Sequence, residues 1–143
     1  MKENEMNVLD ELNKGCSMGI DAINYILDKV KDKSFKKMLE IQQEDYKKIS
    51  NKINKIYKKY SEKKPHKTNI MNKIMTFYGI EMKTMSDETD SKLAELLLNG
   101  TNMGIIEGRK LLNHKDIPKN INSLVEEYVA FQEKSCEELK KYL

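Results

Sequence analysis

The sequence of 143 residues lacks tryptophan and contains only two prolines and two cysteines. No apolar run approaches the roughly 20 residues that a membrane-spanning helix needs. The first fifteen residues, MKENEMNVLDELNKG, carry acidic side chains where a signal peptide would be continuously apolar. Cys16 and Cys136 lie in periodic segments without zinc-site spacing, so we expect reduced, partly buried thiols. These absences predict a cytoplasmic protein without a transmembrane segment.

The composition that remains is typical of helices. Apolar residues make up 38% of the chain and charged residues 34%, with Lys, Asn, Glu, Ile and Leu abundant. Such a mixture favours helices with a heavily solvated surface. The length suits one domain that buries a real core. The sequence therefore predicts a single all-α domain over residues 1–143.

Apolar residues recur at alternating steps of three and four, the spacing of one face of an α-helix, in four segments. The pattern predicts helix A over about 4–31, helix B over about 34–62 with Ser34 as a candidate cap, helix C over about 87–113, and helix D from about Ile117 with Pro118 in its first turn. Short breaks make A/B (about 4–62) and C/D (about 88–143) antiparallel hairpins. A crossover over about 63–87, interrupted by Pro65 and partly helical, joins the two hairpins.

Two phrases in this pattern resemble each other, GCSMGIDAINY at 15–25 and GTNMGIIEGRK at 100–110. An offset of 85 superposes Gly19 on Gly104, and an offset of 82 superposes Tyr46 on Tyr128. The matches favour an internal duplication of the hairpin over coincidence. A glycine within a helix lets a neighbouring helix approach closely. We therefore predict that both glycines face the interior, at the heights of the two tyrosines.

Two duplicated hairpins joined by a long crossover resemble the ferritin-like four-helix bundle. The segment LDELNKG…MGIDAINYILDKVKDKSFKKMLEIQQEDYKKI is similar to uncharacterised bacterial ferritin-like proteins of unknown function. In metal-binding members of that superfamily, helices A and C each supply one glutamate, and helices B and D each supply a Glu-x-x-His pair. The resemblance thus implies six positions at which metal ligands would stand.

Every one of those positions carries another residue here: Cys16 in helix A, Gln43 and Tyr46 in helix B, Thr101 in helix C, and Val125 and Tyr128 in helix D. Both histidines of the chain, His66 and His114, fall outside the four helices. Paired carboxylates and imidazoles are what two hard metal ions require. We therefore expect no metal, no cofactor and no enzymatic activity. Tyr46 and Tyr128 are expected to pack as core side chains, and a hydrogen-bonded pair is the alternative.

Positive charge concentrates at the end of helix B and just after it. The candidate polyanion-binding residues are Lys47, Lys48, Lys52, Lys55, Lys58, Lys59, Lys63 and Lys64. Tyr57 and Tyr60 interleave with these lysines but fall on the apolar stripe. The lysine-rich segment contains no arginine that could make bidentate contacts with phosphate. The pattern therefore favours a solvated lysine face, and nucleic acid is not an expected partner.

The function that these observations favour is a non-catalytic structural or protein-interaction module. Apolar residues of the crossover exceed the needs of one stripe, which predicts a protein partner or a homodimer formed through Met71, Met75, Phe77, Tyr78 and Met82. Two alternatives stay open: a polyanion- or surface-binding protein that uses the lysine-rich end of helix B, and a remnant metal- or redox-binding bundle.

Overall fold

The computed structural model is all-α, as the composition and periodicity predict. It describes residues 2–60, 76, 78–81, 85–113 and 117–143, with side chains from residue 5 onward and without that of residue 60. These residues contain no β-strand. The long helices are α1 (Lys2–Leu27), α2 (Lys33–Tyr60), α3 (Asp90–Leu112) and α4 (Lys119–Lys140). Residues 78–81, within the predicted crossover, are also helical.

The first helix is shorter than its apolar pattern. α1 ends at Leu27 rather than near residue 31. The Lys29 amide donates to the Ile26 carbonyl at 2.8 Å and the Val30 amide to the Leu27 carbonyl at 3.4 Å, which are bonds of a turn. Val30 nevertheless stays buried in that turn. The apolar stripe therefore runs past the helix because a turn residue also packs on the core.

The start of α2 corrects the expected cap. The Asp32 carboxylate accepts hydrogen bonds from the amides of Ser34 and Phe35 at 2.8 and 3.0 Å, and from the Ser34 hydroxyl at 2.6 Å. These bonds, with the Ser34 hydroxyl first, hold the pKa of Asp32 below its ordinary value. Asp32 thus satisfies amides that the helix leaves without partners, and Ser34 is not the cap.

The third helix begins at Asp90, close to the predicted start near residue 87, and the segment SDETD supplies its cap. The Thr89 hydroxyl accepts a hydrogen bond from the Lys92 amide at 3.3 Å, and Asp87 accepts one from the Thr89 amide at 2.9 Å. α4 begins immediately after Pro118, whose extended backbone makes it the residue that flanks the helix. A proline is tolerated there because its missing N–H would have no partner within the helix.

Cross-helix contacts fix the directions of the helices. Between α1 and α2, Gly19 lies against Tyr46, and Asn13 lies 3.1 Å from the Ser50 hydroxyl. Residue numbers fall along α1 as they rise along α2, so the pair is antiparallel. The same reasoning makes α3 antiparallel to α4, because Gly104 lies against Gln132 and Gly108 lies against Val129.

Contacts at the helix ends place the end of α2 relative to the start of α3. The Asp90 carboxylate, at the start of α3, accepts hydrogen bonds from the amides of Lys31 and Asp32 at 2.9 and 2.8 Å. Tyr57, near the end of α2, hydrogen-bonds Asp10 near the start of α1. The end of α2 and the start of α3 therefore lie at opposite ends of the helical assembly.

One cluster of buried apolar residues takes side chains from all four helices. Its largest fully buried members include Phe35, Tyr57 and Tyr128. Phe35 stacks on Tyr142 with ring centroids 4.5 Å apart and closes the end of the core beside the α1–α2 turn. Within the described ranges, no helix combines the length and the apolar character needed to cross a membrane.

Candidate functional site: the buried tyrosine centre

The two glycines of the repeated phrase face tyrosines, as predicted. Gly19 on α1 and Gly104 on α3 are both buried. A Cβ on Gly19 would overlap the ring of Tyr46, and one on Gly104 would lie 3.2 Å from the hydroxyl oxygen of Tyr128. The glycines therefore provide the space that the tyrosines occupy. A side chain would fit less well at Gly19 than at Gly104.

The two tyrosines are held by a residue that the sequence pattern did not single out. The Tyr46 hydroxyl on α2 donates to Oε1 of Gln132 on α4 at 3.0 Å, and Tyr128 also hydrogen-bonds Gln132. Tyr46 packs edge-on against the ring of Phe131 at 4.7 Å. The structure therefore adds Gln132 to the expected core packing, and this amide joins two phenols that belong to different helices.

Burial further favours the neutral form of these phenols, whose pKa values it raises. Desolvation raises the pKa of Tyr46, and hydrogen bonds with Gln132 and Thr101 offset only part of the rise. Desolvation is also the largest cause of the raised pKa of Tyr128, and the nearby Tyr46 and Cys16 add to it. Both phenols are therefore neutral hydrogen-bonding groups at ordinary pH.

A third tyrosine enters the same region from the predicted crossover. Tyr78 is 9% exposed, and its hydroxyl occupies the notch left by the missing Cβ of Gly100 on α3. Desolvation raises its pKa, and the phenol of Tyr46 and the thiol of Cys136 lie near enough to contribute. The expectation that Tyr78 forms part of an apolar surface is therefore wrong, because a helical glycine provides it a buried position. Met71, Met75, Phe77 and Met82 lie outside the described residues.

The six degenerate ligand positions do not all converge. Cys16, Tyr46, Thr101 and Tyr128 lie at the centre, where their polar groups influence one another. Gln43 instead donates to the Ile20 carbonyl at 3.1 Å and to the Asn24 side chain at 2.6 Å, between α1 and α2. Val125 is a buried apolar core residue.

The groups at the centre do not fit a transition-metal site. Burial raises the pKa of the Cys16 thiol far above its ordinary value, whereas metal binding needs the thiolate. The Thr101 hydroxyl donates to the Leu97 carbonyl of its own helix at 2.7 Å. Across the part of the chain that the structure describes, no three His, Cys, Asp or Glu side chains are grouped to hold a metal ion. His66 and His114 lie outside the described residues.

The lysine face is partly neutralised by neighbouring acids. Three of its members form ion pairs: Lys47 with Glu44 at 3.3 Å, Lys48 with Asp45 at 3.9 Å, and Lys52 with Glu127 at 2.6 Å. Lys55, Lys58 and Lys59 are exposed. Lys63 and Lys64 lie outside the described residues. Tyr57 is buried on the apolar stripe, as predicted, and therefore does not present its ring beside the lysines.

A set of buried charged residues near the start of α1 was missed by the apolar-stripe reasoning. Glu5, Asp10 and Glu11 are at most 1% exposed, and Lys14 is 5% exposed. Burial and the neighbouring Asp10 carboxylate raise the pKa of Tyr57. The only signal in the sequence is the placement of Lys14 four residues after Asp10, a spacing at which opposite charges on a helix meet.

Comparisons of the chain with family profiles, with curated proteins and with solved structures gave no match.

Proposed function

We propose that the chain is a ferritin-like four-helix bundle without catalytic activity, and that it serves as a structural or protein-interaction module. Support for the layout comes from the two antiparallel helix pairs and from the placement of the end of α2 and the start of α3 at opposite ends of the assembly. Bundles with one long crossover connection have this connectivity, and their cofactor sites are built in the core from side chains on facing helices.

The proposal includes an internal duplication of the hairpin. Its support is that the superposed residues play matching parts in the two hairpins. Gly19 on α1 lies against Tyr46 on α2, and Gly104 on α3 lies against Tyr128 on α4. The copies differ in detail, since Gly19 faces a ring whereas Gly104 faces a hydroxyl.

The observation that carries the functional proposal is the hydrogen bond between Tyr46 and Gln132 in the space between the facing helices. A neutral phenol and a neutral amide satisfy each other there, and Tyr128 shares the amide. Satisfied buried networks stabilise one packing of the helices. They supply neither the carboxylates that hard metal ions need nor an ionised nucleophile. The core thus suits a structural scaffold whose surface makes the contacts with other proteins.

A thermal-shift measurement with Fe(II), Mn(II) and Zn(II) tests the non-catalytic role. A metal that binds the folded state alone at a hundred times its dissociation constant stabilises that state by about 2.7 kcal/mol. We expect no change in the melting temperature with any of the three ions. A rise of several degrees that Tyr46→Phe or Cys16→Ala abolishes would contradict the proposal.

The polyanion alternative is less well supported. Lys47, Lys48 and Lys52 already have acidic partners, and a phosphate backbone would have to displace them. We expect only weak binding to duplex DNA or heparin that salt abolishes, because it would depend on counterion release. A specific, salt-resistant complex with one nucleic-acid sequence would favour the alternative instead.

A further inference from the structure

Helices α2 and α4 border two surface hollows that share the Lys52–Glu127 ion pair. One, of about 330 Å³, extends to Ile56 and Leu124. The other, of about 350 Å³, extends to Ile49 and to Ala130 and Phe131 of α4. The ion pair, 2.6 Å between its charged atoms, therefore lies between the two hollows and divides one long groove in two.

The groove has an apolar floor and basic rims. Ile49 is 4% exposed and Leu124 is 5% exposed, whereas Ala130 is exposed at the surface. Among the described residues, four lysines line the hollows against two carboxylates: Lys48, Lys52, Lys55 and Lys134 against Asp45 and Glu127. An apolar recess between positive rims is complementary to a partner surface that is apolar along its centre and negatively charged along both sides.

The spacing of the hollows matches a helix. Ile49 and Ile56, one in each hollow, are seven residues apart on α2, which is about 10 Å at 1.5 Å per residue. A helix lying along the groove would place apolar side chains in both hollows if they too were seven residues apart. The side chains between them would pass over Lys52 and Glu127, where polar groups are needed.

Three other occupants suit the groove less well. A second copy related by a two-fold axis would place the lysine rims opposite one another. Nucleic acid would bring phosphates to an apolar floor and to the carboxylates of Asp45 and Glu127, and no arginine lines the hollows. A lipid surface needs apolar side chains that protrude, whereas Ile49 and Leu124 are recessed.

We infer that the α2–α4 groove docks an acidic amphipathic helix of a partner protein, with two large apolar side chains seven residues apart. The inference rests on the proposed role as an interaction module and names the surface and the partner chemistry for it. The recessed floor would hold the apolar side chains of the partner helix, the excess of lysines over carboxylates along the rims would orient its acidic flanks, and the Lys52–Glu127 ion pair would set its register.

Two fluorescein-labelled helical peptides of identical composition test the inference against the full chain by fluorescence anisotropy. In the first, two leucines stand seven residues apart with glutamates on the flanks; in the second, they stand five residues apart and so point in different directions. We expect the first peptide to bind at least about tenfold more tightly, since the second can bury only one of its two apolar anchors in the groove. Equal affinities, or no binding of either, would overturn the inference.

A pair of variants locates the binding. Ala130→Glu places a negative charge in the groove on an exposed residue, and we expect it to weaken peptide binding at least about tenfold, the scale of an interfacial like-charge contact. Ile106→Glu is the matched control, because Ile106 is an exposed apolar residue of α3 outside the two hollows. We expect it to bind like the wild type. Equal effects of the two variants would overturn the assignment.

A third variant tests the rims. Lys48→Gln, Lys55→Gln and Lys134→Gln combined should lower affinity for the acidic peptide and flatten its salt dependence. Binding to phosphatidylglycerol vesicles or duplex DNA that Ala130→Glu abolishes, or a dimer that this variant dissociates, would assign the groove to another occupant and overturn the inference. Each of these outcomes leaves the metal thermal-shift result unchanged, so failure of the groove is distinguishable from failure of the proposed function.

Discussion

The hydroxyl of Tyr46 on α2 donates a hydrogen bond to Oε1 of Gln132 on α4 across 3.0 Å, with both side chains almost fully buried. This bond joins the two hairpins, since Tyr46 belongs to the first and Gln132 to the second. Tyr128 hydrogen-bonds the same amide. The centre of the molecule is therefore a polar but neutral contact between helices.

Removing the Tyr46 hydroxyl should weaken that contact. Tyr46→Phe keeps the ring against Phe131 but leaves the buried Gln132 carbonyl without this donor, so we expect a loss of about 1–3 kcal/mol in the free energy of unfolding. Tyr25→Phe is the control, because Tyr25 is 49% exposed. Urea denaturation of the two variants measures the difference. Equal stabilities would mean that the hydrogen bond does not stabilise the core.

Three glycine-to-alanine variants should rank by the space that each glycine leaves. Gly19→Ala would overlap the Tyr46 ring and should cost about 1–3 kcal/mol, whereas Gly104→Ala meets the Tyr128 hydroxyl at 3.2 Å and should cost less. Gly79 is the control, because a Cβ there would meet nothing within 4 Å. Thermal melts give the order. If Gly19→Ala had a melting temperature equal to or higher than that of Gly79→Ala, the close approach of Gly19 to the Tyr46 ring would be refuted.

Alkaline titration should separate buried from ordinary tyrosines. Burial raises the pKa values of Tyr46, Tyr78 and Tyr128, so in the folded chain these phenols stay protonated above pH about 10, the ordinary tyrosine value. The unfolded chain ionises first, so stability is complete below that pH and falls as pH rises above it. Ultraviolet absorbance of tyrosinate measures the ionisation.

The control for that titration is the protein in urea, where all seven tyrosines should titrate together. If all seven also titrated together near pH 10 while the circular dichroism spectrum stayed helical, the three phenols would not be buried as the structure places them.

The cap of α2 gives a prediction on the acidic side. Hydrogen bonds from Ser34 and Phe35 lower the pKa of Asp32, so its stabilising effect is present above the ordinary aspartate pKa and disappears as pH falls through the lowered value. Asp32→Ala should therefore melt below the wild type at neutral pH, and the gap should close in acid. Asp28→Ala is the control, an exposed aspartate of the same turn. An unchanged gap in acid would exclude the charge-assisted cap.

Sequence reasoning reached the packing that follows from apolar spacing and missed what depends on pairs of residues far apart in the chain. Gly19 and Tyr46 could be predicted to meet because both stand on stripes at equal distances from one turn. Gln132 could not, because a polar residue within a helix is ordinarily read as exposed unless its buried partner is known. Tyr78 was misplaced for the same reason, since its buried position exists only where Gly100 leaves a notch.

Caps show a second kind of limit. Asp32 and Ser34 are both good capping residues, and two residues separate the alternatives. Spacing alone could not choose between them. The structure selects Asp32, whose carboxylate receives two backbone amides, and the Ser34 hydroxyl donates to it.

Elemental analysis of the purified chain, incubated with excess Fe(II) and then with excess Mn(II) and desalted each time, tests the central claim of a neutral, non-catalytic centre most directly. The buried Cys16 thiol and the Tyr46 and Tyr128 phenols would have to lose protons that burial holds in place before they could bind a cation. We predict less than about 0.1 metal ion per chain, since no three His, Cys, Asp or Glu side chains of the described residues are grouped to hold a metal ion. About two ions per chain, the stoichiometry of a di-metal carboxylate bundle, would contradict the account.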